Sequence, residues 1–275
     1  ISFRKNSLVS VTQQESIEEK VKDYIERISE LEDLLNLKVS FTNHIGHISI
    51  TNNSDSINAA YYLRDKWGLG TYPINNLVNL LEDKGIRVFL IDEVDGFDGL
   101  SGFTQENLPF LAINTSDKPI ERIRFTIIHE LAHLMLNIDN SQFNKKGVEV
   151  LCHNFSSHFI LPESTLIKSI GEKRSYIRIA EIESIKEDYG ISLRAIITRL
   201  RDSNIIVGST YSKWMVYLSK TYGRKKEPGN YKGVEKPRQL SRLVNRALAE
   251  GIISLSKASV LLKQDVNELR RGIDV

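Results

Sequence analysis

The sequence predicts an α+β fold that is mainly helical, with one small β-sheet. Three observations point to it. Apolar residues recur at helical spacing over most of the chain. The period changes between residues 86 and 114, where short β-rich runs such as Ile86-Arg87-Val88-Phe89-Leu90-Ile91 appear. Glycines and prolines then fall where the periodic runs stop.

Ser16 to Leu35 reads as an amphipathic helix, with Ile17, Val21, Tyr24, Ile25, Ile28, Leu31, Leu34 and Leu35 on one face. Val39 to Ile50 carries His44 and His47, but Gly46 and the nearby asparagines favour loop or strand ends there. Asp55 to Trp67 is a second helix, stopped by Gly68 and Gly70, and Pro73 to Asp83 a third, stopped by Gly85. Strands follow at 86–91, at Gly99 to Thr104 and at Leu108 to Asn114. A free edge of such a sheet could take an extended peptide by strand addition.

Two further helices cover Phe125 to Leu136 and Gly147 to Leu161, the second stopped by Pro162. Ser175 to Tyr189 and Ser192 to Asp202 are helices split by Gly190, with Arg194, Arg199 and Arg201 read as solvated charges. Tyr211 to Tyr222 is another helix. Thr221 to Arg238 is broken by glycine and proline and enriched in Lys and Arg, so it reads as an exposed basic linker. Gln239 to Glu250, Ser254 to Leu262 and Gln264 to Gly272 close the chain as short helices, with Ser254 and Asp265 as caps. The last pair has a helix-turn-helix outline. Asp265 and Glu268 open its second helix, which favours protein contacts over base readout.

At 275 residues, with 41% hydrophobic and 26% charged residues, the chain has the composition of an ordinary globular protein. A net charge of +2 leaves nucleic-acid affinity to local patches. One cysteine excludes an internal disulfide framework and suits a reducing, cytoplasmic compartment. Cys152 falls on an apolar helix face and reads as a packed thiol. No run has the length of a membrane span, and no secretory leader is visible. The chain begins at Ile1 rather than Met, which reads as a fragment or a processed product.

The chemistry concentrates in His129-Glu130-Leu131-Ala132-His133, inside the apolar run from Phe125 to Leu136. Histidines four apart on a helix share a face, roughly 6 Å apart along the axis. Two imidazoles can then converge on one metal ion. Glu130, next to the first histidine, points to the side on which a water would be activated. H-E-x-x-H alone is a short pattern. Its weight comes from placing three titratable groups in an otherwise apolar helix, where they are costly to bury unpartnered. A third ligand is needed, and the next helix offers two candidates four apart, Glu149 and His153, either of which could reach the metal.

Arg122-Ile123-Arg124-Phe125-Thr126 followed by this motif resembles the R-x-R-F-T-x-x-H-E-x-x-H segment of the ImmA/IrrE family of metallopeptidases. Glu149-x-x-Cys152, Phe155 and Phe159-Ile160-Leu161-Pro162 are similar to the family's second motif helix. Lys66 to Gly70, Phe97 to Gly102 and Ala247 to Ser254 extend the resemblance over most of the chain, in the branch that follows a repressor-type DNA-binding domain. Two positions depart from it: the family's asparagine is His153 here, and its Ala-Ala pair is Ser156-Ser157.

The resemblance implies a zincin-like metallopeptidase domain over 53–205. It is preceded by a helical arm over 1–52 and followed by a helix and basic linker over 206–238 and a helix-turn-helix-like subdomain over 239–275. It makes Glu149 the third ligand beside His129 and His133, with zinc as the ion and Glu130 as general base; the same donors admit manganese or iron. His153 could be an alternative ligand, a support for a ligand, an oxyanion donor, or simply a packed histidine. The implied substrate is a helix-turn-helix repressor or antitoxin, cut in a stress or mobile-element response. DNA binding would come through a domain upstream of Ile1, and the oligomeric state is left open. Two other readings stand beside it: a metal-binding transcriptional regulator without proteolysis, and the toxin partner of a toxin–antitoxin pair.

Overall fold

The computed structural model describes residues 2–3, 11–92, 97–139, 141–223 and 226–273. The chain opens with β1 (Ser2–Phe3), α1 (Val11–Leu34), β2 (Ser49–Ile50), α2 (Asn53–Lys66) and α3 (Leu77–Asp83). Three strands follow, β3 (Arg87–Ile91), β4 (Gly99–Phe103) and β5 (Pro109–Asn114). Next come α4 (Ile120–Met135), β6 (Asn137–Ile138), α5 (Lys145–Ile160), α6 (Glu163–Ile170), α7 (Ile179–Tyr189), α8 (Leu193–Asp202) and α9 (Gly208–Tyr222). The chain closes on α10 (Gln239–Ala249), α11 (Leu255–Leu262) and α12 (Val266–Ile273). This is the α+β arrangement expected, mainly helical with a small mixed sheet. Among the described residues no helix is long and apolar enough to cross a membrane.

The elements fall into two compact units that cut across the four consecutive segments anticipated from sequence. The first comprises Ile1–Thr42, Val78–Ser116 and Lys236–Val275. Its sheet has the order β1-β4-β5-β3, with β4 antiparallel to both neighbours and β3 parallel to β5. Every residue of β5 is buried, as the Phe110 to Ile113 run demands of a central strand. Ile17, Val21 and Ile25, spaced by four on α1, form a core with Ile91, Phe97, Leu100, Phe110 and Ala112. Leu31 near the end of the same helix and Leu35 just past it share a core with Val244, Ala247, Ile253, Ala258 and Leu261. Ion pairs Lys257–Glu30 and Lys263–Asp23 add to this packing. Ser254 caps α11 by accepting the Lys257 N–H, as its sequence position suggested. Gly85 is required at its turn: φ is +79°, and a Cβ would lie 2.5 Å from the Ser40 carbonyl oxygen.

The second unit comprises Asn43–Leu77 and Asp117–Glu235. In it α5 packs against both α2 and α4. Three buried arginines tie its backbone together. Arg64 donates to the carbonyls of Gly70, Tyr72 and Phe159. Arg199, only 3% exposed, donates to the carbonyls of Ser157 and Leu161 at the end of α5, 2.8 Å each. The solvated reading of Arg199 is therefore wrong: it lies beside Ile196 and Leu200 on the buried face of α8 and fills the hydrogen-bond capacity that a helix end leaves open. Arg194 also has a partner, the Glu227 carboxylate.

Arg124 is the third. It donates to the carbonyls of Ile74, Tyr189 and Gly190, pairs with Glu235 and lies over the Tyr231 ring. Tyr231 and Glu235 belong to the segment anticipated as an exposed linker, and both are buried. Composition misled there, because Tyr231, Glu235 and also Glu227, which pairs with Arg194 and Lys186, pin the stretch; Arg224 and Lys225 of that segment lie outside the described residues.

Candidate metal centre

Two helices of the second unit build the site. α4 begins at Pro119, whose carbonyl accepts the N–H groups of Arg122 and Ile123, and buries Ile123, Ile127, Ile128, Leu131 and Met135. It starts earlier than the apolar run suggested, since Glu121 and Arg124 are charged yet buried. α5 begins at Asn144, whose side chain accepts the Gly147 N–H, and buries Val148, Leu151, Cys152, Phe155 and Phe159. That burial fixes which face of α5 meets α4.

His129 and His133 stand one turn apart with their rings edge-on, centroids 4.7 Å apart. Their Nε2 atoms are 3.2 Å from each other. Glu149 of α5 reaches both: its Oε2 is 3.0 Å from His129 Nε2 and its Oε1 3.5 Å from His133 Nε2. One ligand atom from each of the three residues lies within 4.8 Å of the others. Both rings are mostly buried, while the Glu149 side chain is 41% exposed, so the cluster opens to solvent on the α5 side.

The donor set fits a divalent metal. The thiol Sγ of Cys152 lies 3.3 Å from His133 Nδ1. An Nδ1–H donated to that sulfur leaves the Nε2 lone pair directed at the centre. Nitrogen lone pairs and carboxylate oxygens then face one another at short range, an acceptor-rich arrangement that a cation satisfies. Two imidazoles and a carboxylate are common ligands for such ions.

Glu130 is half-buried beside His129. His153, the other candidate for third ligand, is outside the three-donor group. Its ring sits 4.8 Å from His129 and 5.3 Å from Phe125. The shielding lowers its pKa from the ordinary histidine value, against an opposing pull from Glu149. His44 and His47 are elsewhere; His47 packs edge-on against Tyr62. Sequence reasoning placed Cys152 correctly in the core, where it is fully buried. It missed the contact with His133, although the spacing of three from Glu149 puts both on one face of α5. It also gave Arg124 no part, five residues before His129 on the same helix.

Residues 81–201 match the IrrE N-terminal-like domain of the M78 peptidase family, a stretch that contains His129, Glu130, His133 and Glu149. No curated protein matches the chain. A solved structure described as a Mycobacterium tuberculosis transcriptional regulator is similar at 16% identity and a TM-score of 0.38. The match covers 63% of this chain and 51% of that one, so this chain spans about half of that protein's length. Within this chain, the stretch over residues 81–201 is thus similar to the IrrE N-terminal-like domain.

Proposed function

We propose that the chain is a zinc-dependent endopeptidase that cuts one specific regulatory protein, a helix-turn-helix repressor or antitoxin, in the cytoplasm during a stress or mobile-element response. The observation that carries the catalytic reading is the approach of the Glu149 carboxylate to both His129 and His133. Zinc bound there would act as a Lewis acid on the scissile carbonyl and would acidify a water. His129, His133 and Glu149 would hold the ion, and Cys152 would fix the orientation of the His133 ring. The Glu130 carboxylate takes a proton from the attacking water and returns it to the leaving amine. Phe125 stacked on His129, with His153 edge-on to His129, would give the substrate an aromatic wall. His153, whose ring lies 4.8 Å from that of His129, would act as a donor to developing oxyanion charge. The free thiol, buried at Cys152, is compatible with a reducing compartment.

The test mixes purified protein and zinc with the repressor encoded beside it, and follows cleavage by mass spectrometry. The wild type should give two defined fragments. Glu130→Gln should retain the metal and leave the repressor whole. If Glu130→Gln cuts at the wild-type rate, the mechanism is wrong. Metal uptake without any cleavage by the wild type would favour a regulator instead.

A further inference from the structure

Residues 227–235 form a strap on the second unit that is tied down at both ends and in the middle. At one end the Glu227 carboxylate accepts the Leu193 N–H and pairs with Arg194 at 2.8 Å and with Lys186 at 3.9 Å. Lys186 is 4% exposed and also reaches Glu121, in the first turn of α4, at 3.3 Å. In the middle, the Asn230 N–H donates to the Glu187 carboxylate and the Tyr231 hydroxyl to the Asn75 carbonyl. At the other end Asn76 donates to the Val234 carbonyl, and Glu235 pairs with Arg124 of α4. The Tyr231 ring lies against the same guanidinium, whose centre is 4.6 Å from the ring.

The strap therefore grips α4, the helix that carries His129 and His133, and it does so from behind. Five residues at 3.6 per turn place Arg124 about 140° around the helix from His129, and about 7.5 Å along the axis. The nine residues to His133 make the angle about 180°. On the metal side, α5 packs on α4 and brings Glu149 to both histidines. The helix is thus clamped between the strap and α5.

The Arg124–Glu235 pair is almost fully buried, and such a pair adds little net stability over an apolar pair of the same volume. It does impose one geometry. The guanidinium fork also donates to the carbonyls of Ile74, Tyr189 and Gly190, so Arg124 has a single place to lie. Metal ligands need that kind of support, since they must meet within about 0.5 Å of their working arrangement.

We propose that Glu235 and Tyr231 are positioning residues for the metal centre: through Arg124 they set the rotation of α4 at which His129 and His133 meet Glu149. Only the metal-binding reading of those three residues is presupposed, not peptide cleavage. Strap and metal are then coupled, and such coupling is reciprocal: a docked strap tightens metal binding, and bound metal steadies the strap.

Amide hydrogen exchange on the full wild-type chain, with and without zinc, tests the coupling. Zinc should slow exchange over 227–235 as well as in α4 and α5, although the strap supplies no ligand. Competition with a chelator then measures zinc affinity in the folded variants. Glu235→Gln and Tyr231→Leu should each weaken it at least fivefold and alter the visible absorption of the cobalt(II)-loaded chain. Glu181→Ala breaks the Arg174–Glu181 pair of α7 and touches neither strap nor α4, so it should leave both readouts unchanged. The proposal is overturned if zinc slows exchange in α4 and α5 alone, if both strap variants bind zinc as tightly as the wild type, or if Glu181→Ala weakens binding as much as they do. Failure of the wild type to bind zinc would instead refute the metal centre, and this coupling with it.

Discussion

Gly190→Ala should cost most of the stability of the second unit, and the cost can be worked out atom by atom. Gly190 caps α7 in the left-handed conformation, with φ at +60°. Alanine there loses about 1 kcal/mol to backbone strain. The larger effect is steric. A Cβ at this position would lie 2.4 Å from Arg124 Nε, 2.8 Å from its Cδ and 3.0 Å from Tyr231 Cδ1. Arg124 is 1% exposed and ion-paired to Glu235, so it has nowhere to retreat without losing partners. Disrupting a buried pair costs about 3–5 kcal/mol. The sum, about 4–6 kcal/mol, approaches the whole stability of many domains. Urea unfolding followed by circular dichroism measures it. Gly190→Asn separates the two terms, because asparagine tolerates the left-handed conformation but carries the same Cβ. It should lose nearly as much as Gly190→Ala. If both variants lose only about 1 kcal/mol, Arg124 yields freely and is not the brace described above.

Other consequences are equally direct. Burial, and then the nearby Arg199 charge, push the pKa of His158 down to about 4, so its neutral form is the native one. The group therefore stabilises the fold fully above its unfolded value near 6.5, and that contribution is lost as pH falls through about 4. The difference amounts to about 3 kcal/mol. Urea unfolding between pH 7 and pH 4 should show a shallower acid loss in His158→Gln than in the wild type, and equal slopes would refute the assignment. Cys152→Val should weaken metal affinity by about 10–100-fold, measured by competition with a chelator, because His133 Nδ1 loses its partner. Cys152→Ser keeps a polar atom there and should stay within a few fold of the wild type; if both variants bind metal alike, the thiol does not orient His133.

The α+β class and the helix carrying His129 and His133 were legible because each rests on local periodicity. The histidines of His129-Glu130-Leu131-Ala132-His133 meet because any α-helix stacks residues four apart. The choice between Glu149 and His153 was not legible from spacing, since both lie on the same side of α5. It depends on how α5 is rotated against α4, which Val148, Leu151, Cys152 and Phe155 determine by burying themselves. Arg199 and Glu235 were misread for a related reason. A charged side chain is usually solvated, and only tertiary structure shows that Arg199 meets the open carbonyls of α5 or that Glu235 meets Arg124. The unit boundaries were equally hidden, because residues 1–42, 78–116 and 236–275 come together from distant parts of the chain.

The central claim is that His129, His133 and Glu149 hold a divalent metal for peptide hydrolysis. X-ray absorption spectroscopy of the zinc-loaded chain tests it most directly. The account predicts one zinc per chain with only nitrogen and oxygen neighbours at about 2.0–2.2 Å, two of them imidazole, and loss of that signature in His133→Ala. A sulfur neighbour at about 2.3 Å would make Cys152 a ligand and contradict the assigned donor set. An unchanged spectrum in His133→Ala would contradict the site itself.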